Sequence, residues 1–241
     1  MTRILPAITL RCLVLGGLLA FTSGCETLCP EAPAMKQIEW KFDRLEDIGG
    51  VPIQVEGRPQ IVATAAGKAV AFNGVDDALF IDQHPLAGAA TFTIEAVFRP
   101  DGGAFEQRFL HLSELDPATG KDSDARILFE IRVVDGRWYL DAFATGPGYK
   151  ETLVVPEKTF PVGPWYRVEQ TYDGKMYRSY VDGELQMEAP IEFRPQGAGH
   201  SSVGMRINRV TPFHGAILEV RFTPRALKPD EFLKLPAGLN G

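Results

Sequence analysis

Strict two-residue alternation, broken at intervals by Asp-Gly, constrains this chain more than any other feature of its sequence. From Thr91 to Phe98, the residues Phe92, Ile94, Ala96 and Phe98 share one face, and Thr91, Thr93, Glu95 and Val97 share the other. That period is the mark of a half-buried strand. The stretch Ile127 to Val133 repeats it with Ile127, Phe129, Ile131 and Val133. Asp135-Gly136, Asp173-Gly174 and Asp182-Gly183 each separate two β-rich runs, and Asn73-Gly74 follows another. Such dipeptides accept the positive φ angles of a tight hairpin turn. A single short helix is expected, from Pro229 to Leu235, with Asp230 and Glu231 in its first turn. Many short strands without intervening helices specify an antiparallel sandwich or barrel. No linker or repeat interrupts the chain after residue 37, so one domain is expected over residues 37–237.

The start of the chain reads differently. Arg3 and Arg11 are its only charges, and no acid precedes Glu26. An apolar run from Leu13 to Phe21 ends in Thr22, Ser23 and Gly24, just before Cys25. The run is short for a bilayer span, which needs about 20 apolar residues. A basic start, a short apolar stretch and small residues before a cut describe a signal peptide, residues 1–24. The Gly24-Cys25 junction resembles a bacterial lipobox, in which the cysteine is lipidated, although Thr22 stands where leucine is usual. The resemblance implies an exported protein held to the cell envelope by a lipid on Cys25. An ordinary signal peptide, with a periplasmic or secreted product, is the alternative. Residues 25–36 are a Pro-rich tether.

The net charge of −6 becomes two charges more negative once Arg3 and Arg11 are removed, which argues against nucleic acid as a partner. Removal of the leader leaves Cys25 and Cys29 in the tether, so the fold must stand on its hydrophobic core. The cysteines and the four histidines make no zinc-binding spacing.

Four stretches, in order, resemble laminin-G-like domains of the concanavalin A-like lectin and glucanase kind. They are Gly67 to Ile81, Thr91 to Pro100, Trp165 to Gly174 with Tyr180 to Leu185, and Phe213 to Phe222 with Arg225-Ala-Leu227. The resemblance implies an all-β jelly-roll sandwich of two antiparallel sheets, one of them concave. Its members bind glycans, proteins or calcium, and enzymatic relatives cleave polysaccharides. A shared fold does not fix a shared ligand.

Catalysis in the family's style would need Glu-x-Asp-x-x-Glu on one strand, where alternation sets two acids on one face of a groove. Glu114-Leu-Asp116 begins that pattern, but Thr119 stands in place of the last glutamate and Pro117 interrupts the strand. The calcium site of relatives implies an aspartate on the late strand, where this chain has Leu218, which has no oxygen to offer. Asp76 and Asp77 remain candidate metal ligands. The same carboxylates would equally serve a turn by bonding to backbone N–H groups.

The hairpin at Asp135-Gly136 yields the most specific candidate site. A two-residue turn pairs Val134 with Arg137, and therefore Arg132 with Tyr139 and Glu130 with Asp141. All four point away from the face of Phe129, Ile131, Trp138 and Leu140. Facing carboxylates repel unless a cation or donor intervenes, and Arg132 is placed to be that donor. Glu130, Arg132, Tyr139 and Asp141 suit sugar hydroxyls, and a solvated sheet face is the plainer reading. By the same count Glu169 faces Arg178 across Asp173-Gly174 as a surface ion pair, and Trp165 anchors the core.

The expected function is non-catalytic binding of a glycan or another envelope component, with no cofactor required and calcium as the one candidate ion. A structural or adhesion protein is the first alternative, and a polysaccharide hydrolase or lyase with an atypical catalytic set is the second.

Overall fold

The computed structural model describes residues 35–240. The leader, Cys25 and most of the tether lie outside the described residues. In chain order the strands are β1 (Ile38–Lys41), β2 (Asp47–Ile48), β3 (Val51–Glu56), β4 (Gln60–Thr64), β5 (Gly67–Asn73), β6 (Ala78–Ile81), β7 (Phe92–Pro100), β8 (Glu106–Leu115), β9 (Asp122–Val134), β10 (Arg137–Gly146), β11 (Tyr149–Val154), β12 (Phe160–Pro161), β13 (Tyr166–Tyr172), β14 (Met176–Val181), β15 (Glu184–Pro190), β16 (Gly199–Val203) and β17 (His214–Thr223). They form two sheets. The first runs β15-β14-β13-β7-β17-β5-β4, with β1 also on β17. The second runs β11-β10-β9-β8-β16-β6-β3-β2, with β12 also on β10. Neighbours pair antiparallel throughout. This is the expected two-sheet jelly-roll sandwich.

The alternating apolar residues meet between the sheets. Phe98 from the first sheet stacks on Phe109 of the second at 4.6 Å, and Phe109 stacks on Phe129 at 5.3 Å. Trp138 meets Phe98 edge-on at 5.1 Å. Offset and edge-on rings satisfy the ring quadrupoles while removing large apolar areas from water. Gln170 reaches across the core to donate to the Leu128 carbonyl at 2.6 Å, and accepts from Tyr177 at 2.5 Å, so its buried amide is bonded at both ends.

Two of the four turns, both Asp-Gly, behave as read. Asp135-Gly136 and Asp182-Gly183 carry positive φ at both positions, 51° and 70° in the first and 51° and 82° in the second. That is the backbone of a type I′ hairpin. The other two differ. Asn73-Gly74 leads from β5 in one sheet to β6 in the other, so it is a crossing and not a hairpin. Asp173-Gly174 opens a longer loop, because the Asp173 carboxylate accepts N–H groups of Lys175 and Met176 at 2.9 and 2.8 Å. Tyr172 therefore pairs with Tyr177, which sets Thr171 opposite Arg178 and Glu169 opposite Tyr180. The expected Glu169–Arg178 pair does not form. Arg178 instead pairs with Asp173 and Glu188 at 2.6 and 2.7 Å.

The expected helix is a single 3-10 turn, Pro229–Glu231. The chain around it straps the outer face of the first sheet. Trp165, Val97, Ala69, Ala216 and Leu218 form an apolar cluster there with Leu235 and Leu239. Trp165 thus anchors this outer cluster and lies apart from the main core. The strap makes β7 buried on both faces, where alternation alone indicated one. Glu95 and Glu169 are consequently buried and face Arg221 and Arg167, and the strap's Leu233 N–H donates to Glu95 at 2.5 Å. Burial pushes the Glu169 carboxyl up to about 7, against the pull of Arg167. Phe232 docks edge-on to Tyr180 at 5.2 Å beside Leu227. Phe232→Ala is expected to lower stability by about 3 kcal/mol in chemical denaturation, through lost burial and an unfilled hollow. A loss under about 1 kcal/mol would mean that the strap is not part of the cooperative fold.

Candidate functional site

The β9–β10 hairpin has the register set by its two-residue turn. Arg132 pairs with Tyr139 and Glu130 with Asp141. Leu128 pairs with Phe143, and β11 adds Thr152 beside Phe143. On the other side β8 places Arg108 opposite Glu130 and His111 opposite Leu128, after a bulge at Phe109. These side chains share the outer face of the second sheet, opposite the core.

The four residues singled out by the hairpin count are therefore neighbours. Nη2 of Arg132 lies 3.2 Å from one Glu130 oxygen and 2.6 Å from Asp141 Oδ2, so one guanidinium bridges both carboxylates. Arg108 Nε donates to the other Glu130 oxygen at 2.7 Å. Glu106 at the margin pairs with Arg108 and lies 3.6 Å from Arg132. Glu130 and Asp141 are almost fully buried. Burial, and then the Glu130 charge, push the Asp141 carboxyl up to about 6, with Arg132 and Arg108 opposing. Tyr139 is half-buried beside Arg132, and the exposed Phe105 ring lies under the Arg132 guanidinium at 5.8 Å.

The floor is part of a cleft of about 280 Å³ whose lining also includes Arg126, Phe143, Lys150, Thr152 and Arg206. Arg126 lies over the Phe143 ring at 5.4 Å. Arg206 belongs to the loop between β16 and β17, which crosses this face. The loop is held by Ile207 N–H on His111 Nδ1 at 3.1 Å, by Arg209 on Glu56 at 2.6 Å, and by Arg108 on the Thr211 hydroxyl at 2.7 Å. Its Arg209 and Thr211 have φ of 63° and 53°. A β-branched residue at positive φ stores strain, and strain of this kind concentrates at functional sites. Burial, followed by the charges of Arg206, Arg126 and Arg108, drives the His111 imidazole down to about 3. His111 is neutral at physiological pH, and since its Nδ1 accepts, its proton sits on Nε2.

Arg108, Arg126, Phe143 and Arg206 were missed by reading the hairpin alone. Arg126 and Phe143 lie at the same period-2 positions as Glu130 and Asp141, so extending the count would have found them. Nothing local in the sequence places Arg206 there. The two histidines that flank Arg206 in sequence diverge. His200 sits in β16 with Asp82 and Asp122 at 3.0 and 3.1 Å, whereas His214 opens β17 and donates its backbone N–H to Gln107.

Asp76 and Asp77 serve the turn in this structure. Asp77 accepts the N–H groups of Arg58 and Asn73 at 2.6 and 2.9 Å, one on each oxygen, and Asp76 accepts the Asn73 amide at 2.7 Å. Among the described residues no group of three potential metal ligands assembles. Leu218 is buried in the outer apolar cluster.

Known proteins bear on this geometry through fold. Domain 4 of a GH43 extracellular arabinanase from Geobacillus stearothermophilus, solved with arabinotriose, superposes with a TM-score of 0.61 at 19% identity, over 80% of this chain and 94% of that one. The binding domain of Paraclostridial Mosquitocidal Protein 1 gives 0.58 at 15% identity, over 82% of this chain and 50% of that one. The botulinum neurotoxin serotype D ligand-binding domain with N-acetylneuraminic acid gives 0.57 at 11% identity, over 80% and 48%. The chain spans about half the length of these two toxin structures. At such identities the likeness shows the fold alone. No curated protein matches the chain by sequence. The laminin-G-like family model described as the concanavalin A-like lectin/glucanases superfamily matches residues 73–232, about two-thirds of the sequence, in agreement with the two sheets and their order. The chain belongs to the concanavalin A-like lectin/glucanases superfamily.

Proposed function

We propose that this protein is a non-catalytic carbohydrate-binding module whose site is the outer face of β8–β11. The observation that carries the reading is the Glu130–Arg132–Asp141 cluster, buried yet opening on a preformed cleft. Sugar sites combine fixed, charge-assisted hydrogen-bond partners with aromatic or apolar surface for the ring. Phe143 supplies an aromatic ring in the cleft, and Tyr139 and Phe105 lie beside Arg132 at its margin. Several polar atoms of the cluster, Asp141 Oδ1, Arg132 Nη1, Arg126 Nε and Arg206 Nε, have no protein hydrogen-bond partner. Buried polar groups left in this state are costly, which favours a ligand or water that satisfies them. Support also comes from the arabinanase domain and the neurotoxin domain, each solved with a sugar.

The test is a glycan array on the described domain, followed by calorimetry. Glu130→Gln and Tyr139→Ala are each expected to weaken binding of the selected glycan at least about tenfold, since one charged hydrogen bond or one stacked ring is worth roughly 1–3 kcal/mol. Unchanged affinity in both variants would move the site elsewhere.

A hydrolytic reading draws on one observation. Glu130 and Asp141 both contact the same Arg132 nitrogen, and burial and the Glu130 charge raise the Asp141 carboxyl to about 6, so two acids sit close together with one of them raised toward neutral pH. Against it, both Glu130 oxygens are engaged by arginines, which blunts a nucleophile. Release of reducing ends from a bound glycan would favour hydrolysis. Export and envelope anchoring through Cys25 belong to the same proposal and rest on the sequence. Loss of lipid labelling in Cys25→Ser tests them, with a glycan or an envelope protein as the partner presented to the tethered module.

A further inference from the structure

We propose that the Arg126–Arg206–Lys150 end of the cleft selects a glycan bearing a carboxylate, such as a uronic or sialic acid residue. The inference rests on the carbohydrate reading above and names the class of sugar.

Charge balance is the first argument. The protein is acidic, with a net charge of −6, yet five cations and two acids line this cleft. Arg132 and Arg108 are matched by Glu130, Asp141 and Glu106. The other three are not matched in the same way. Arg126 pairs only with Asp124, whose carboxylate is fully exposed and therefore well screened. Among the described residues, neither Arg206 nor Lys150 has an ion-pair partner within 4.0 Å. Like charges gathered in a partly desolvated cleft repel one another and are stabilised by an anion that enters. Both neighbouring titrations carry the imprint of that field: burial and then Arg126 and Arg108 lower the Arg206 guanidinium from its ordinary value, and the same arginines contribute to the depression of His111.

Presentation is the second argument. Arg206 sits in a loop held at Glu56, His111 and Arg108, with a buried Nε that meets no protein acceptor. Its backbone is closed by Arg206 N–H on Val210 O at 3.2 Å and Arg209 N–H on Arg206 O at 2.7 Å. The loop keeps two non-glycine residues at positive φ, a conformation retained only where surrounding contacts enforce it. Guanidinium groups have the planar fork that matches a carboxylate with paired hydrogen bonds. Phe143 and Thr152 lie alongside for the apolar face and hydroxyls of the same sugar.

The experiment is calorimetric titration of the intact domain with galacturonate, glucuronate, mannuronate and sialylated oligosaccharides, each beside its carboxyl-reduced form. At least one carboxylated glycan is expected to bind, with a loss of about tenfold or more on reduction. Arg206→Gln and Arg126→Gln are expected to remove that preference, so that the ratio of the carboxylated to the reduced affinity falls toward one. Thermal melting confirms that the variants fold. Equal affinity for carboxylated and reduced forms overturns the inference and leaves the carbohydrate reading standing. Preference for sulfated over carboxylated glycans also overturns it. Failure to bind any glycan overturns both.

Discussion

Trp138→Ala is expected to cost about 3–5 kcal/mol of folding stability, the range for deleting a large buried aromatic. Trp138 is fully buried and meets Phe98 at 5.1 Å, Phe160 at 5.2 Å and Tyr166 at 5.0 Å. It joins the two sheets where β10 passes over β7 and β13, so no single neighbour can fill the space it leaves. The alternation that sends Trp138 and Leu140 inward sends Tyr139 and Asp141 outward. Loosening the inner row therefore also loosens the outer one. Urea denaturation measures the first effect, and calorimetry below the transition measures a loss of glycan affinity with no ligand-contacting atom removed. Trp138→Phe should keep more than half of the lost stability by retaining a ring. A cost below about 1 kcal/mol for the alanine variant would show that the two sheets do not depend on this contact.

His111→Gln is expected to change how stability responds to pH. The folded His111 titrates near 3 and an unfolded histidine near 6.5, so between these values the unfolded chain binds the extra proton. Acidification through that window destabilises the fold, and burial of His84 acts in the same direction. Asp141 and Glu169 act oppositely. Their folded values, about 6 and about 7, lie above the unfolded carboxyl values, so the folded chain holds more protons and stability rises as pH falls. The opposing contributions leave the wild type only weakly dependent on pH between 7 and 5. Removing the imidazole removes its opposing contribution, and from pH 7 to pH 5 the variant should gain roughly 2 kcal/mol relative to the wild type, at about 1.4 kcal/mol for each tenfold change. Urea titrations at a series of pH values check this. A variant that tracks the wild type at every pH would contradict a neutral buried His111.

The register expected from the sequence and the register of the structure agree where the physics is local. A two-residue Asp-Gly turn with positive φ leaves one register open to β9 and β10. The juxtaposition of Glu130 with Asp141 and of Arg132 with Tyr139 follows from counting. The same reasoning failed at Asp173-Gly174, because the Asp173 carboxylate captured two backbone N–H groups and lengthened the loop, which moved Arg178 from Glu169 to Asp173 and Glu188. Identical dipeptides gave different turns, and the difference lay in a side-chain hydrogen bond that alternation does not encode.

The sequence by itself determined an antiparallel sandwich or barrel, which the family resemblance narrowed to two sheets, and it determined the core-facing rows of β7, β9 and β10 and the acidic pair of the candidate site, since these depend on period 2 and on turn residues a few positions apart. The tertiary structure decided what surrounds that pair. Arg108 reaches Glu130 only because a bulge at Phe109 resets β8, and Arg206 arrives on a loop from a distant part of the chain. The burial of Glu95 and Glu169 likewise depends on the C-terminal strap over the first sheet. Charge becomes informative when groups far apart in sequence share a desolvated space, and only the folded chain brings them there.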